Sequence, residues 1–200
     1  DNPEERFKTF HNTLLQNENI LKTCHVTEVP GKQLYWDAGG IKKAGADNTQ
    51  GKNYQIVGMD YEFTNVFDVE FVAGRNFSQN FPSDKDALIF NETAVQWIGF
   101  ENIEKAIGQQ VDYWGKIYTV VGVIKDYHQQ SPKAEFEPTI YRLMPTGRDV
   151  RGQFAVKLKV EKLNETIQFI EKTYAEFFPG NPFESYFLDE YFDQQYKADR

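Results

Sequence analysis

Residues Phe154–Gly180 read FAVKLKVEKLNETIQFIEKTYAEFFPG, and the hydrophobic period changes partway along them. Phe154, Val156, Leu158 and Val160 alternate with Ala155, Lys157 and Lys159, the period of two that marks a strand with one buried face. Asn164 is placed to cap a following helix. Its apolar stripe, Ile167, Ile170, Tyr174 and Phe177/Phe178, recurs at three and four residues until Pro179-Gly180 stops it. A strand near Glu184–Leu188 and a terminal helix from about Asp189 would extend this to β-α-β-α. Strand and helix of comparable length, side by side, set the class.

The rest of the chain alternates less regularly. Pro3, Glu4 and Glu5 suit a first helical turn, and Phe7, Phe10, Leu14 and Leu15 give that helix an apolar stripe. Lys22–Val29 reads as a strand closed by Pro30-Gly31. Residues 37–53 (DAGGIKKAGADNTQGKN) carry no periodicity and read as a long surface loop. Tyr54–Met59, Val69–Ala73, Ala87–Phe90 and Pro138–Leu143 read as strands, the last bounded by Pro145 and Gly147. Asp60 begins a short helical pattern, Asn91 caps the helix ETAVQWI that Gly99 ends, and another short helix covers Asn102–Ala106. Gln110–Tyr113 and Tyr118–Lys125 flank Trp114–Lys116 as a hairpin. The irregular order with several hairpins makes the class α+β.

Composition narrows the function. A net charge of −8 is the wrong sign for displacing counterions from nucleic-acid phosphates, so no nucleic-acid partner is expected. Aromatic residues make up 16% of the chain, enough bulky rings for a sizeable core, within a mean hydropathy of −0.62. The longest nearly apolar run, Tyr118–Ile124, is far short of the roughly 20 residues of a membrane-crossing helix. Cys24 is the single cysteine and cannot form an internal disulfide.

Motifs with chemistry in them do not hold together. Gly45–Asn53 (GADNTQGKN) imitates a phosphate-binding loop but puts five residues between its glycines instead of four, and Asn53 stands where a hydroxyl would hold magnesium. His11, His25 and His128 are scattered, and Cys24 and His25, adjacent on a strand, point to opposite faces. In KDYHQQS, Asp126, His128 and Ser131 supply a triad's residue types, but within seven positions they make a turn rather than a nucleophile elbow. The acid pairs Glu4-Glu5 and Asp189-Glu190 sit at helix starts, where the dipole explains them. Asn76, Asn91 and Asn164 head N-x-S/T triplets. No catalytic, cofactor or metal residue is assigned, and the protein is expected not to be an enzyme.

Four strings in fixed order carry a resemblance: VGMDYEFTNVFDVEFVAGRNF (57–77), DALIFNETAVQWIGF (86–100), IGQQV (107–111) and YTVVGVIKDYHQQSPKAEFEPTIY (118–141). Together they resemble the MacB-like periplasmic core domain of FtsX/MacB-type ABC transporter permeases. The matching residues are Gly74, Arg75 and Phe77 of the AGR-x-F turn, Asn91 and Glu92 of the NE-x-A helix start, Gly108 of the IGQ turn, Gly122, Lys125, Asp126 and His128 of the strand exit, and Pro138. Turn glycines, a helix cap and a rigid proline are folding devices, so these residues read as structural rather than ligand-contacting.

The resemblance implies a domain set between two transmembrane helices on the periplasmic side of the inner membrane, here excised from them. It implies a porter-like β-α-β subdomain from residues 1–60 and 146–200, with a smaller mixed subdomain, 61–145, inserted. It further implies a cytoplasmic ABC ATPase subunit that binds the nucleotide, dimerisation of the full-length transporter, and a periplasmic or outer-membrane protein partner. The function then expected is coupling of ATP-driven helix motion to conformational change outside the membrane. The loop 37–53 and the KDYH turn are the expected partner contacts. The rival readings are a soluble periplasmic ligand- or protein-binding module without a transport role, and a small hydrolase using Asp126, His128 and Ser131.

Overall fold

A computed structural model describes residues 3–129, 134–144 and 152–198. Helix α1 (Pro3–Leu14) leads into β1 (Ile20–Val26), β2 (Asp37–Lys43) and β3 (Lys52–Met59), then the single turn α2 (Phe63–Val66) and β4 (Phe71–Gly74). The middle continues through β5 (Ala87–Asn91), α3 (Glu92–Ile98), α4 (Ile103–Ala106), β6 (Gln110–Tyr113), β7 (Lys116–Ile124) and β8 (Thr139–Leu143). The chain closes with β9 (Gln153–Leu158), α5 (Leu163–Phe177) and α6 (Leu188–Ala198). The fold is α+β, as the periodicities imply.

All nine strands belong to one sheet, in the order β2-β6-β7-β5-β8-β3-β1-β9 with β4 beside β7, and β2 also pairs with β3. That extra pairing turns six strands into a closed ring. The first half of β2 pairs with β3 (Asp37 opposite Gln55, Ala38 opposite Tyr54), and its second half pairs with β6 (Lys42 opposite Asp112, Lys43 opposite Val111). Between the halves, Gly39-Gly40 let the strand bend. Alternate residues of the six strands meet in one buried cluster, among them Ile41, Ile56, Phe90, Val111, Val120 and Ile140, which is the ring's interior. Ala94, Val95 and Ile98 of α3 pack into the same cluster, so α3 fills one end. The opposite faces of β3, β5 and β8 contribute Val57, Ile89 and Tyr141 to a second cluster with α2 and Leu34.

Beyond the ring, β1 and β9 join α1 and α5 in a third, aromatic cluster. Phe10 is 1% exposed and meets Phe154 edge-on at 4.8 Å and Phe178 at 5.1 Å. His25 stacks between Phe7 and Phe154 at 4.9 and 4.8 Å. On the other face of β1, Cys24 is buried in the second cluster, as adjacent strand residues require.

Local readings are corrected at several places. Residues 37–53 are not one loop: β2 occupies 37–43 and β3 begins at Lys52, leaving a short connection with a 3-10 turn at Asn48–Gln50. Its Gly-rich sequence hides β2 because the bend needs glycine where propensity expects β-branched residues. No strand forms near Glu184–Leu188; the segment is extended until α6 begins. Asn164 lies inside α5, and Lys162, at φ 52°, takes the cap position without a side-chain bond. The edge at β4 starts at Phe71 rather than Val69, and β1 ends at Val26 rather than Val29. The proposed boundaries Pro145 and Gly147 lie outside the described residues. The hairpin holds: Trp114 and Gly115, both at positive φ, make the two-residue turn between β6 and β7.

Two half-buried groups link fold to pH. Asp60 accepts the His25 N–H at 2.6 Å and the Glu62 and Phe63 N–H groups at 2.9 and 3.1 Å, so it caps α2 while pinning β1. Burial raises its carboxyl from the ordinary 3.8 to about 6, and burial lowers the His25 imidazole from 6.5 to about 4. Asp60 takes up its proton in the folded state first, so stability is gained as pH falls through about 6 toward 4. His25 takes up its proton in the unfolded state first, so stability is lost as pH falls from 6.5 to about 4. The two effects oppose each other. Asp60→Asn keeps the capping oxygen but removes the gain, so between pH 7 and 4 the variant should lose about 2 kcal/mol more stability than wild type does. Parallel shifts of the two urea midpoints over that range would refute the proton uptake by Asp60.

Candidate functional site

The resemblance-bearing residues are far apart in sequence but gather at two hydrogen-bonded junctions on β7. At the first, β4 and β7 approach too closely for side chains. A Cβ on Gly74, at φ 69°, would lie 2.2 Å from the Val121 carbonyl oxygen, and one on Gly122 would lie 2.3 Å from the Arg75 carbonyl oxygen. The chain then turns, with the Arg75 N–H on the Val121 carbonyl at 3.0 Å. Arg75 reaches forward to Asp84 in a two-pronged pair at 2.7 and 2.9 Å, and Asp84, 1% exposed, also accepts the Ser78 N–H at 2.8 Å. The guanidinium beside it keeps the Asp84 carboxyl below its ordinary value against the opposing pull of desolvation. Phe77 is buried in the second cluster. Gly108 donates its N–H to the Val120 carbonyl at 2.8 Å and starts the path into β6.

The second junction locks the start of α3 to the exit of β7. Asn91 Oδ1 accepts the Ala94 N–H, capping α3, and also the Thr139 N–H, both at 2.9 Å, while its Nδ2 donates to the Glu137 carbonyl at 2.9 Å. Glu92 accepts the Asp126 N–H at 2.9 Å, and Asp126 answers by accepting the Thr93 N–H at 3.2 Å and the Thr93 hydroxyl at 2.7 Å. Pro138 offers its carbonyl to the Gln55 N–H at 2.9 Å. Lys125 stays exposed, bonded through its N–H to the Glu70 carbonyl and through Nζ to the Glu70 carboxylate at 3.1 Å. Gln129 then ties the strand exit to the β1–β2 loop, donating to the Val29 and Lys32 carbonyls at 2.8 and 2.9 Å.

Chemically these are binding and fastening groups. Both Asp126 carboxylate oxygens serve Thr93, and the His128 ring lies on Phe136 with centroids 4.6 Å apart. Ser131 lies outside the described residues. Among the described residues, no group of three His, Cys, Asp or Glu side chains is placed to hold a metal. Sequence reasoning found Arg75 and Asp126 but missed their partners Asp84 and Thr93, and it missed Gln129. Asp84 could have been suspected from an acid in a Pro-initiated turn; Thr93 and Gln129 carry no signal a single sequence displays.

The close approach makes a sharp prediction. Gly122→Ala should cost about 3 kcal/mol or more, because backbone must move on both strands. Lys125→Ala, which removes an exposed ion pair, should cost less than about 1 kcal/mol. Comparable urea midpoints for the two variants would overturn this reading of the β4–β7 contact.

The sequence profile of the MacB-like periplasmic core domain matches residues 15–170. Among curated proteins no sequence matches significantly. Among solved structures, the periplasmic region of MacB from Actinobacillus actinomycetemcomitans superposes with a TM-score of 0.60 at 14% identity, covering 84% of this chain and 72% of that one. The extracellular domain of the noncanonic ABC-type transporter YknZ from Gram-positive bacteria gives 0.60 at 14% identity, covering 84% and 82%. A domain from a Porphyromonas gingivalis protein described as a permease gives 0.57 at 15% identity, covering 90% and 82%. At these identities the structures speak for the fold, while the profile spans most of the chain. The chain therefore belongs to the MacB-like periplasmic core domain family of ABC transporter permeases.

Proposed function

We propose that this domain is the non-catalytic extracytoplasmic part of an inner-membrane ABC permease and that it passes motion from its two ends into the ring. A cytoplasmic ATPase subunit would supply the work, the full-length transporter would be a dimer, and a periplasmic or outer-membrane protein would receive the change of shape. The chain's division into residues 1–60 with 146–200, around an inserted 61–145, belongs to this proposal. The aromatic cluster uniting α1, β1, β9 and α5 supports the end-built part.

The observation that carries the reading is a continuous set of contacts from the last helix to α3. The Phe192 ring occupies the space a Gly31 side chain would need, 2.3 Å from its Cβ position. Lys32 Nζ lies over the Tyr186 ring at 3.9 Å and near Tyr191 at 5.3 Å, and Leu188 packs into the second cluster. Gln129 holds that same loop, and three residues earlier Asp126 holds Thr93 at the start of α3. At the other end of the chain, Phe7 and Phe10 of α1 grip β1 and β9 through rings. Pulling either terminal helix therefore loads β1 and the loop that follows it, and Gln129 relays the load to the helix plugging the ring. Packed elements of this kind respond by hinge or shear rather than by stretching.

Spin labels at two exposed sites, Lys172 on α5 and Gln96 on α3, test the coupling in the full-length transporter with its ATPase. Cys24 is buried, and burial raises its thiol far above the ordinary range, so it should not compete for the label. Trapping the ATPase in its nucleotide-bound state should change the interlabel distance by on the order of 2 Å or more. Gln129→Ala should reduce that change while leaving ATP hydrolysis running. An unchanged distance distribution in the two nucleotide states would refute the coupling.

A further inference from the structure

The last helix, α6, rests on a seat made by the loop between β1 and β2. That loop is itself firmly set. Val29 and Leu34 are 4% and 7% exposed, the Lys32 N–H donates to the Val29 carbonyl at 3.3 Å, and Gln129 holds both the Val29 and Lys32 carbonyls. Between them Gly31 takes a φ of 96°, and the Phe192 ring of α6 lies where a side chain at Gly31 would stand. A polar clasp closes beside this seat. Gln153, at the start of β9, donates to Glu28 at 2.5 Å and accepts the Tyr186 hydroxyl, while Lys32 Nζ lies 3.9 Å from the centre of the Tyr186 ring.

The fit is specific but shallow. Phe183, Leu188, Tyr191 and Phe192 are only half-buried, and Tyr186 and Phe187 are 47% and 43% exposed. The two helices of the aromatic cluster are anchored more deeply, by Phe10 and Leu14 in α1 and by Thr166 and Thr173 in α5, all 4% exposed or less. Stability follows the apolar surface withdrawn from water, so an element that withdraws little opens at a lower free energy than its neighbours. Residues 179–187, which join α5 to α6, form neither helix nor strand, so no regular structure has to break for α6 to leave. At 11 residues α6 is also shorter than the roughly 12–15 that a helix needs to persist unaided in water. Losing the seat therefore means losing the helix.

We propose that residues 183–198 form a releasable strap, seated on Gly31 and clasped by Lys32 and Gln153, which detaches as one unit while α1, β1, β9 and α5 stay folded. Release makes the contact with the β1–β2 loop conditional. A seated strap passes load to Lys32 and Gln129, and a released one passes none. The Lys32–Tyr186 contact suits this use, because a cation over an exposed aromatic face holds a surface element without the desolvation penalty of a buried ion pair. The use of the strap in coupling rests on the proposed function. The release itself is a property of the chain, read without membrane or ATPase, so failure of the spin-label measurement would leave it standing.

Residue-resolved amide hydrogen exchange on the 200-residue chain tests the strap. The Tyr191 amide, bonded to the Phe187 carbonyl at 3.2 Å, should be protected by docking. It should nevertheless exchange at least about a hundredfold faster than the central amides of α5, and with little dependence on added urea, the signature of an opening that exposes little surface. Phe192→Ala should speed exchange in α6 at least about tenfold and leave the α5 and β9 amides unchanged. Gly31→Ala, on the other side of the same contact, should do the same. Exchange of α6 at the α5 rate, or acceleration of α5 and β9 together with α6 in Phe192→Ala, would make α6 part of the core and overturn the proposal. An α6 already unprotected in the unaltered chain, or one that neither substitution accelerates, would overturn it as well, because no seat would then be holding the strap.

Discussion

The bend in β2 is the constraint on which the architecture rests. One half of this strand satisfies its backbone on β3 and the other half on β6, so a six-strand ring closes without leaving two free edges. Closure makes the interior a single apolar cluster and leaves it two ends, one filled by α3 and one edged by Trp36, Tyr113 and Arg142. Other contacts fasten neighbouring elements to the ring. The Gly74–Gly122 approach keeps β4 against β7, and Lys43 and Lys52 fasten the last carbonyls of α3, where a helix dipole favours cations.

The family's recurring residues take a physical meaning from this arrangement. Asn91 caps α3, Glu92 accepts the Asp126 N–H, and Asp126 accepts from Thr93, so each of the three fastens the first turn of α3. Arg75 is engaged in the same way by Asp84.

The two ends of the chain are built differently from the middle. There the sheet continues as β1 and β9, and stability comes from rings: Phe7, Phe10, Phe154, Tyr174 and Phe178 meet at edge and tilted geometries around the stacked His25. Such contacts combine large buried area with defined orientation, which fixes α1 and α5 against β1 and β9.

Much of the opening stretch was legible in the sequence. The period of two in β9 and the three-and-four stripe of α5 follow from local geometry, and so do the Asn91 cap and the Trp114-Gly115 hairpin. The helix start at Asn164 and the strand near Glu184 were misread, because a capping residue type and a run of bulky residues state a propensity without stating whether a partner strand is near. The sequence by itself determined the α+β class, the acidic net charge and the family. Only the tertiary structure decided that residues 37–43 are a strand, since a glycine bend suppresses the local signal and cross-strand pairing restores it. The same holds for which charges meet: Arg75 pairs with Asp84 because ion pairing depends on separation in space, and spacing along the chain does not report it.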